Sequence, residues 1–339
     1  MEYKLSVIFI TYNHEKYVKK ALMSILAQET DFPFEVVVGD DMSTDNTRCI
    51  IEEIAKDYPE HEPTGPNDRQ VRFVKRDKNT GRPTLNVYET TYECKGDYLA
   101  YLEGDDYWIG TDKLQKQVDF LENHKEYIAV THSNLLIDAD DREIRDKEML
   151  KVGELYKWSG AFTYEDYCYS GKWPGHYASV VSRNIYKNNI NGYDYSIIYR
   201  AHDFVDDAVI LLFLLMQGDI YRMDEVMSAW RYIKKEGGSN WNSLALQRDT
   251  ARDDCYLSKT LMQWVEKTKG LTEYSEKRCR NDFGLALKMY LKHPDKENRQ
   301  FLNDMYDYGI THVVMKDKKC SLLGYSVKTI LSKLTGRGN

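Results

Sequence analysis

Runs of apolar residues alternate with amphipathic segments along the first part of the chain. The β-branched runs at 4–10 and 34–40 predict two strands, and the segment 15–28 between them places apolar residues at helical spacing. A strand, a helix and a strand in this order favour parallel pairing, because the connection is long enough to cross over the sheet. Since both runs are continuously apolar, we expect a sheet that is covered on both faces.

The pattern continues with further strands and helices. Additional strands are predicted at 71–76, 97–103, 127–138 and 176–183. Additional helices are predicted at 43–58, 111–124 and 203–217, the last of them strongly apolar. From residue 241 onward the periodicity is almost wholly helical. We therefore predict an α/β fold, with a mostly parallel mixed sheet flanked by helices in a domain at 1–238 and a helical C-terminal region at 239–339.

Composition and charge argue against several classes of protein. A net charge of −7, from 47 Lys and Arg against 54 Asp and Glu, gives no overall basic surface, so we expect no nucleic-acid partner. The six cysteines have no CxxC spacing, which is typical of reduced thiols. The longest apolar run, 208–216, is far shorter than the roughly 18 residues of a membrane span. The apolar stretch near the N-terminus is too short for a signal peptide, so a cytoplasmic location is predicted.

The segment 311–339 is basic and amphipathic. Its lysines are interleaved with apolar residues, and Asp317 is its only acid. A helix of this type binds the surface of an anionic membrane, which predicts a peripheral contact with the inner face of the membrane. The alternative is a helix that docks on the protein and leaves its basic face in solvent.

Polar residues follow three of the predicted strands, at the edge where an open α/β sheet binds its ligands. They are Thr11, Tyr12 and Asn13 after the first strand, Asp40 and Asp41 after the second, and Glu103, Asp105 and Asp106 after the fourth. So many carboxylates at one edge repel one another unless a cation lies among them. Oxygen ligands suit Mg²⁺ or Mn²⁺, which bind one or two carboxylates together with phosphate oxygens and water. We expect Tyr12 to stack on a base and Asp41 to accept a hydrogen bond from a pyrimidine.

The chain has neither a GxGxxG motif after the first strand nor a GxxxxGK[ST] motif. Without a glycine-rich loop for the phosphates, a metal ion would have to hold them. Structural interpretations of the same residues stay open. The acidic turn at 103–106 fits a solvated surface, and Asp40 fits equally well as a partner of the following helix. Trp108 and His176 fit either the wall of a sugar or acceptor pocket or ordinary packing.

Four segments in the right order resemble the motifs of a known family. They are "SVIFITYNHEKYVKKALMSILAQ", "EVVVGDDMSTDNT", "GDYLAYLEGDDYW" and "GDIYRMDEVMSAWRYIKKEGG". Together they resemble the inverting glycosyltransferases of family 2, which have the GT-A fold, over residues 4–238. The resemblance implies a nucleotide-sugar donor, commonly a UDP-sugar, that is bound together with Mn²⁺ or Mg²⁺.

The resemblance also implies roles for single residues. The usual Asp-x-Asp motif is Glu-x-Asp here, with Asp105 in the position of the metal ligand. The catalytic base is expected at Asp207, with Asp206 and Asp203 as alternatives on the same predicted helix. The residues expected to bind the nucleotide are Thr11, Tyr12, Asn13, Glu15, Asp41, Asn79, Glu103 and Gly104. Contacts to the diphosphate or the acceptor are expected from Lys235, Arg231, Asp106, Trp108 and His176.

We therefore expect a metal-dependent hexosyl- or N-acetylhexosaminyltransferase that acts on a glycan or lipid-linked acceptor in surface polysaccharide synthesis. An inverting transfer needs a carboxylate that removes the proton of the acceptor hydroxyl. A sugar nucleotidyltransferase is the alternative on the same fold, but "TYNHEKY" lacks the glycine-rich basic loop that such enzymes have after the first strand. A non-catalytic carbohydrate-binding protein is the second alternative, and the presence of all the strand-end acids argues against it.

Overall fold

The computed structural model of the chain describes residues 2–145, 158–169, 173–187, 189, 191–234, 243, 246, 248–270 and 273–309. The chain divides into two compact units, Met1–Leu246 and Gln247–Asn339. The domain boundary placed at residue 238 stays a prediction.

Strands and helices alternate through the first unit. Its described strands are β1 (Leu5–Thr11), β2 (Phe34–Asp40), β3 (Arg69–Phe73), β4 (Tyr98–Glu103), β5 (Tyr107–Trp108), β6 (Tyr127–Ile137), β7 (Gly160–Phe162), β8 (Val181–Arg183) and β9 (Asp219–Arg231). Its described helices are α1 (Val18–Leu26), α2 (Thr47–Ala55), α3 (Pro83–Tyr92), α4 (Lys113–Asn123), α5 (Tyr164–Tyr169), α6 (Ile197–Ala201) and α7 (Asp207–Leu215). A 3-10 turn at Tyr177–Ser179 precedes β8.

The described strands form one mixed sheet in the order β3-β2-β1-β4-β8-β6-β9-β5, with β7 paired to β9 outside this path. Strands β3, β2, β1 and β4 are parallel to one another, and β6 is parallel to β9. β8 runs antiparallel to β4 and β6, and β5 and β7 run antiparallel to β9. The predicted α/β architecture is confirmed.

Continuous burial of the central strands explains the continuous apolar runs. Every residue of β1 and β2 is buried, because helices cover both faces of a parallel sheet. The register pairs Thr11 with Asp40 and Ile10 with Glu103. The carboxyl ends of β1, β2 and β4 therefore lie side by side, and the polar residues that follow them meet at one edge.

Several elements differ from the sequence prediction, and α7, for example, begins at Asp207 and not at residue 203. The predicted strand 176–183 is a 3-10 turn followed by the three-residue strand β8. The hydrophobic pattern does not predict α3, because its inward face is largely polar. Thr90 and Thr91 are buried there and donate their hydroxyls to backbone carbonyls one turn earlier, at 2.7 and 2.8 Å.

The second unit is helical, as predicted. It contains α8 (Thr250–Lys269), α9 (Glu273–Lys292) and α10 (Lys296–Gly309). These helices pack around an apolar cluster of Cys255, Phe283, Ala286, Phe301 and Met305. None of the helices in the described part of the chain has both the length and the apolar content to cross a membrane. The amphipathic segment predicted at 311–339 lies outside the described residues.

Candidate functional site

A cavity of about 590 Å³ opens at the carboxyl ends of β1, β2 and β4. Small-molecule sites usually measure about 300 to 1,000 Å³, so the cavity is large enough for a small-molecule ligand. The predicted site residues that line it are Thr11, Tyr12, Asp41, Asn79, Glu103, Asp105, Asp106, His176, Asp206, Asp207 and Arg231. The fold thus brings together most of the predicted site from distant parts of the chain.

Gly104 lets the turn after β4 pass close to the end of β1. A Cβ atom on this residue would lie 2.6 Å from Oγ1 of Thr11 and 2.8 Å from Nδ1 of His14. Both distances are far below van der Waals contact, so only glycine fits this path without displacing its neighbours. The N–H of Gly104 donates to the carbonyl of Ile10 at 2.8 Å, which fixes the turn on the strand end.

Asp41 organises the loop that forms another wall of the cavity. Its Oδ1 accepts the backbone N–H of Thr80 at 2.8 Å, and its Oδ2 accepts the Thr80 hydroxyl at 3.0 Å and the N–H of Gly81 at 3.2 Å. The side-chain amide of Asn79 donates to the backbone carbonyl of Asp41 at 2.6 Å. Asp41 therefore positions Asn79 at the cavity, and its own contact with a pyrimidine stays a prediction.

Asn13 and Glu15 join the loops after β1 and β2, and neither they nor Asp40 are among the residues that line the cavity. Oδ1 of Asn13 accepts a backbone N–H of the loop before α2 at 2.8 Å. Oε2 of Glu15 accepts both the backbone and the side-chain N–H of Asn46, at 3.1 and 2.9 Å. Asp40 accepts the hydroxyl of Ser43 at 2.5 Å within the loop before α2, and a direct contact with the following helix stays a prediction. A nucleotide contact for Asn13 or Glu15 stays a prediction.

The acidic turn after β4 carries an excess of negative charge. Burial, and then repulsion by Asp105 and the other acids nearby, raises the pKa of Glu103 well above its usual range. Burial followed by repulsion from Asp105 also raises the pKa of Asp106, although the backbone N–H of Arg231 opposes this shift. Among the described residues that line the cavity, Arg231 is the only lysine or arginine. A bound cation would relieve the repulsion.

Glu103, Asp106 and His176 lie close enough together that they could hold a metal ion. Each offers one ligand atom, and these atoms lie within 4.8 Å of one another. Oδ1 of Asp106 accepts the N–H of Arg231 at 2.7 Å, whereas its buried Oδ2 has no hydrogen-bond partner among the described residues. Asp105, the ligand expected from the sequence, lines the cavity but does not belong to this group.

His176 lies in the segment before the 3-10 turn and faces this group. Its imidazole stacks on Trp230 with ring centres 4.4 Å apart, and its Nδ1 accepts the N–H of Ala178 at 3.4 Å. Burial lowers the pKa of His176 to about 3, so the ring is neutral at physiological pH. A neutral imidazole is the form that binds metal ions.

Asp206 and Asp207 both line the cavity at the start of α7. Asp207 is exposed, and its Oδ1 accepts the N–H of Ala208 at 2.7 Å. Asp206 is half-buried, and burial followed by repulsion from Asp207 raises its pKa to about 7. Asp203 lies outside the helix and outside the cavity lining, where it accepts Nε of Arg82 at 2.7 Å. The expectation that Asp203 lies one helical turn before Asp207 is therefore wrong, since α7 begins at Asp207.

Trp108 is packed in the core, whereas Arg231 lines the cavity and its expected contact with the diphosphate or the acceptor stays a prediction. Trp108 is buried by the pairing of β5 with β9, and its Nε1 donates to the carbonyl of Ala178 at 2.9 Å. It is not among the residues that line the cavity, which favours the packing interpretation over a place in a sugar or acceptor wall. The guanidinium group of Arg231 is directed at the acidic turn and at residues 138–141. Lys235 lies outside the described residues.

Other cavity residues were not among the expected ones. They are Ile10, His14, Gly81, Pro83, Asn86, Val87, Tyr177, Phe204, Val205 and Trp230. Pro83, Asn86 and Val87 belong to α3, which the hydrophobic pattern does not predict. Phe204 and Val205 precede α7, inside the segment expected to be helical. Gly175 lies directly before His176, and a Cβ atom there would meet Oγ of Ser179 at 2.5 Å. A glycine at this position is the one sequence feature that could have indicated a closely packed loop before Tyr177.

Comparison with known proteins agrees with this geometry. A family model described as "Glycosyl transferase family 2" matches residues 6–193. An uncharacterized protein of Mycobacterium tuberculosis (strain ATCC 25618 / H37Rv) is 39% identical over 136 residues, which are 40% of this chain and 36% of that protein. The poly(ribitol-phosphate) beta-N-acetylglucosaminyltransferase TarS of Staphylococcus aureus (strain Mu50 / ATCC 700699) is 32% identical over 137 residues, 40% of this chain and 20% of that protein. The chain thus matches a minor part of the length of these relatives.

Solved structures show the same fold over nearly the whole chain. The crystal structure of S. aureus TarS 1-349 in complex with UDP-GlcNAc has a TM-score of 0.65 at 16% identity, covering 98% of this chain and 92% of that one. The complex of the same protein with UDP has a TM-score of 0.60. This likeness confirms the predicted GT-A architecture. Because the family model matches more than half of its residues, the chain belongs to glycosyl transferase family 2.

Proposed function

We propose that the chain is an inverting glycosyltransferase that moves a sugar from a nucleotide diphosphate donor to a hydroxyl group of a glycan or lipid-linked acceptor. The observation that carries the proposal is the meeting of two groups of carboxylates in one cavity, the acidic turn at 103–106 and the pair Asp206 and Asp207. The first group suits a metal-bound diphosphate, and the second suits proton removal from an acceptor.

A UDP-sugar is the proposed donor. Tyr12 is 37% exposed at the cavity, which leaves its ring free to stack on a base. The relative TarS is named as a beta-N-acetylglucosaminyltransferase, and its structure was solved with UDP-GlcNAc. We extend this to a hexose or N-acetylhexosamine as the transferred sugar here. The polymer acceptor in the name of TarS supports an acceptor that belongs to a surface polysaccharide.

The acidic turn fits a divalent metal ion, Mn²⁺ or Mg²⁺. A buried carboxylate oxygen without a partner, such as Oδ2 of Asp106, is stabilised by a cation. Glu103, Asp106 and His176 would hold the ion, with Asp105 as a further ligand from the same turn. When bound, the metal stabilises the negative charge that develops on the departing diphosphate.

Asp207 is the proposed catalytic base. Its carboxylate is exposed at the cavity, where an acceptor hydroxyl has room to approach. It would take the proton of that hydroxyl as the oxygen attacks the anomeric carbon from the side opposite the diphosphate, which inverts the configuration. Asp206 is the alternative base, because a pKa of about 7 lies near the working pH of most enzymes.

Thermal-shift measurements test the donor and the metal together. UDP, GDP, CDP and their sugars would be added to the full chain with Mn²⁺ and with EDTA. A shift that is specific for uridine nucleotides and requires Mn²⁺ supports the proposal. NMR of the product of a transfer reaction would then show whether the anomeric configuration is inverted. The absence of any nucleotide-dependent shift in Mn²⁺ would contradict the proposed function.

A further inference from the structure

The side chain of Arg231 ties the acidic turn to a second segment of the chain. The residue ends β9, and its side chain is only 1% exposed. Nε donates to the carbonyl of Asp105 at 2.8 Å, and the backbone N–H donates to Oδ1 of Asp106 at 2.7 Å. Nη1 donates to the carbonyl of Asp138 at 2.6 Å. One residue therefore fixes both the backbone and a carboxylate of the turn that is proposed to bind the metal.

Asp141 supplies the carboxylate that pairs with this buried guanidinium group. Its Oδ1 accepts Nη2 of Arg231, and its Oδ2 accepts Nζ of Lys20 at 2.9 Å. The backbone of Asp141 has a φ of 65°, which places the residue in the left-handed region. Since that conformation is uncommon for residues other than glycine, asparagine and aspartate, the site selects for a short polar side chain.

Aromatic rings complete the arrangement around these charges. The guanidinium carbon of Arg231 lies 4.1 Å from the ring centre of Tyr17, and Nζ of Lys20 lies 3.6 Å from that of Tyr107. Tyr17 immediately precedes α1, and Tyr107 follows the acidic turn as the first residue of β5. The position of Arg231 is therefore set by ring stacking on one side and by the carboxylate of Asp141 on the other.

We propose that Asp141 is a positioning residue for the acidic turn and acts through Arg231. A buried guanidinium group whose carboxylate partner is lost moves toward solvent or toward another acid. Either movement releases the carbonyl of Asp105, so the backbone of the turn that carries Asp106 loses one of the contacts that fix it. Asp141 does not line the cavity, so its effect on a ligand passes through the contacts of Arg231.

This inference rests on the proposed function, because the turn is proposed there as the metal site. The variant Asp141→Asn tests it with little disturbance of the backbone, since asparagine accepts positive φ angles as readily as aspartate. The matched control is Asp140→Asn, which removes the same charge one residue earlier. Asp140 is exposed and pairs with Arg142 at 3.1 Å.

The measurement is the dissociation constant of Mn²⁺ for the full chain, from titration of the metal alone followed by electron paramagnetic resonance of free Mn²⁺. We expect Asp141→Asn to weaken Mn²⁺ binding by about 10- to 100-fold, as loss of a residue that orients metal ligands usually does. Asp140→Asn should bind like the wild type. A purely stabilising role of Asp141 would leave this dissociation constant unchanged as long as the variant is folded under the conditions of the titration.

A second readout uses the transferase reaction once a donor is known. Saturating Mn²⁺ should restore most of the rate of Asp141→Asn, because the variant retains every group that contacts the substrates. Unchanged Mn²⁺ binding in Asp141→Asn overturns the inference and leaves the proposed function intact. Equal weakening in both variants also overturns it, because the effect would then be one of overall charge. Failure of the wild-type chain to bind Mn²⁺ overturns the metal site and this inference together.

Discussion

Oδ2 of Asp106 lies 3.6 Å from Nδ1 of His176, and both side chains are buried at the wall of the cavity. Burial lowers the pKa of His176 to about 3, so the contact is not a salt bridge at physiological pH. Nδ1 accepts the N–H of Ala178 and therefore carries no proton, so this nitrogen and the carboxylate oxygen are both acceptors. A proton or a cation between them would relieve their repulsion.

Replacing His176 with asparagine should weaken the binding of Mn²⁺. The change removes a nitrogen that faces Glu103 and Asp106, and loss of such a group lowers metal affinity by about tenfold or more. Isothermal titration of the metal alone measures the effect. His124→Asn is the matched control, since His124 is 46% exposed and pairs with Glu126 away from the cavity. Equal Mn²⁺ affinity in wild type and His176→Asn would remove His176 from the metal site.

Replacing Asp207 with asparagine should lower kcat by about 10² to 10⁴, which is the usual contribution of a positioned base. Binding of UDP with Mn²⁺ should remain close to that of the wild type, because the acidic turn is unchanged. Asp206→Asn decides between the two candidates in the same assay. Asp203→Asn is the surface control, as Asp203 is 53% exposed and paired with Arg82. If Asp206→Asn loses the activity and Asp207→Asn keeps it, the roles are reversed.

Asp206 should make the stability of the metal-free protein depend on pH. Its pKa rises from 3.8 to about 7 on folding, so the folded state holds this proton more tightly than the unfolded state. Its contribution to stability is present below pH 3.8 and is lost as the pH rises through 7. The difference in unfolding free energy between Asp206→Asn and the wild type should therefore shift in favour of the variant between pH 4 and pH 8.

Urea unfolding of both proteins at several pH values measures this difference. Each pKa unit corresponds to about 1.4 kcal/mol. The half-buried position of Asp206 is partly screened, so a shift on the order of 1 kcal/mol is expected. Other titrating groups are common to both proteins and largely cancel. A difference that is independent of pH would mean that Asp206 has an ordinary pKa in the folded protein.

The ends of the strands in the first half of the chain could be predicted from the sequence, because the apolar run that marks each strand is a local pattern. A continuous apolar run fixes where β1, β2 and β4 end, and the residues that follow must meet at one edge. Tyr12, Asp41 and the turn at 103–106 were placed in this way. The base was placed by family resemblance, and the structure locates both Asp206 and Asp207 at the cavity.

Contacts between distant segments leave no periodic pattern in the sequence, so these contacts could not be predicted from it. Arg231 fits a phosphate ligand by its charge, but its surroundings are set by Asp141 and by the acidic turn. Trp108 follows the acidic residues directly, yet its pairing with β9 turns the ring into the core. The α3 wall was missed because buried threonines and Asn86 replace the apolar residues from which a helix is predicted.

Replacing Gly104 with alanine should disturb both folding and nucleotide binding. The added Cβ would meet Thr11 and His14 at 2.6 and 2.8 Å, so the acidic turn or the end of β1 must move. Overpacking of this kind usually costs about 1 to 3 kcal/mol. Urea unfolding measures the loss of stability, and titration with UDP and Mn²⁺ measures the loss of affinity.

The matched control for this change is Gly65→Ala. Nothing lies within 4 Å of a Cβ atom at Gly65, so alanine should be tolerated there without loss of stability. The comparison separates the general effect of removing a glycine from the effect of a side chain at this turn. If Gly104→Ala retained the stability and the UDP affinity of the wild type, the close approach of the acidic turn to β1 would not be needed for the site.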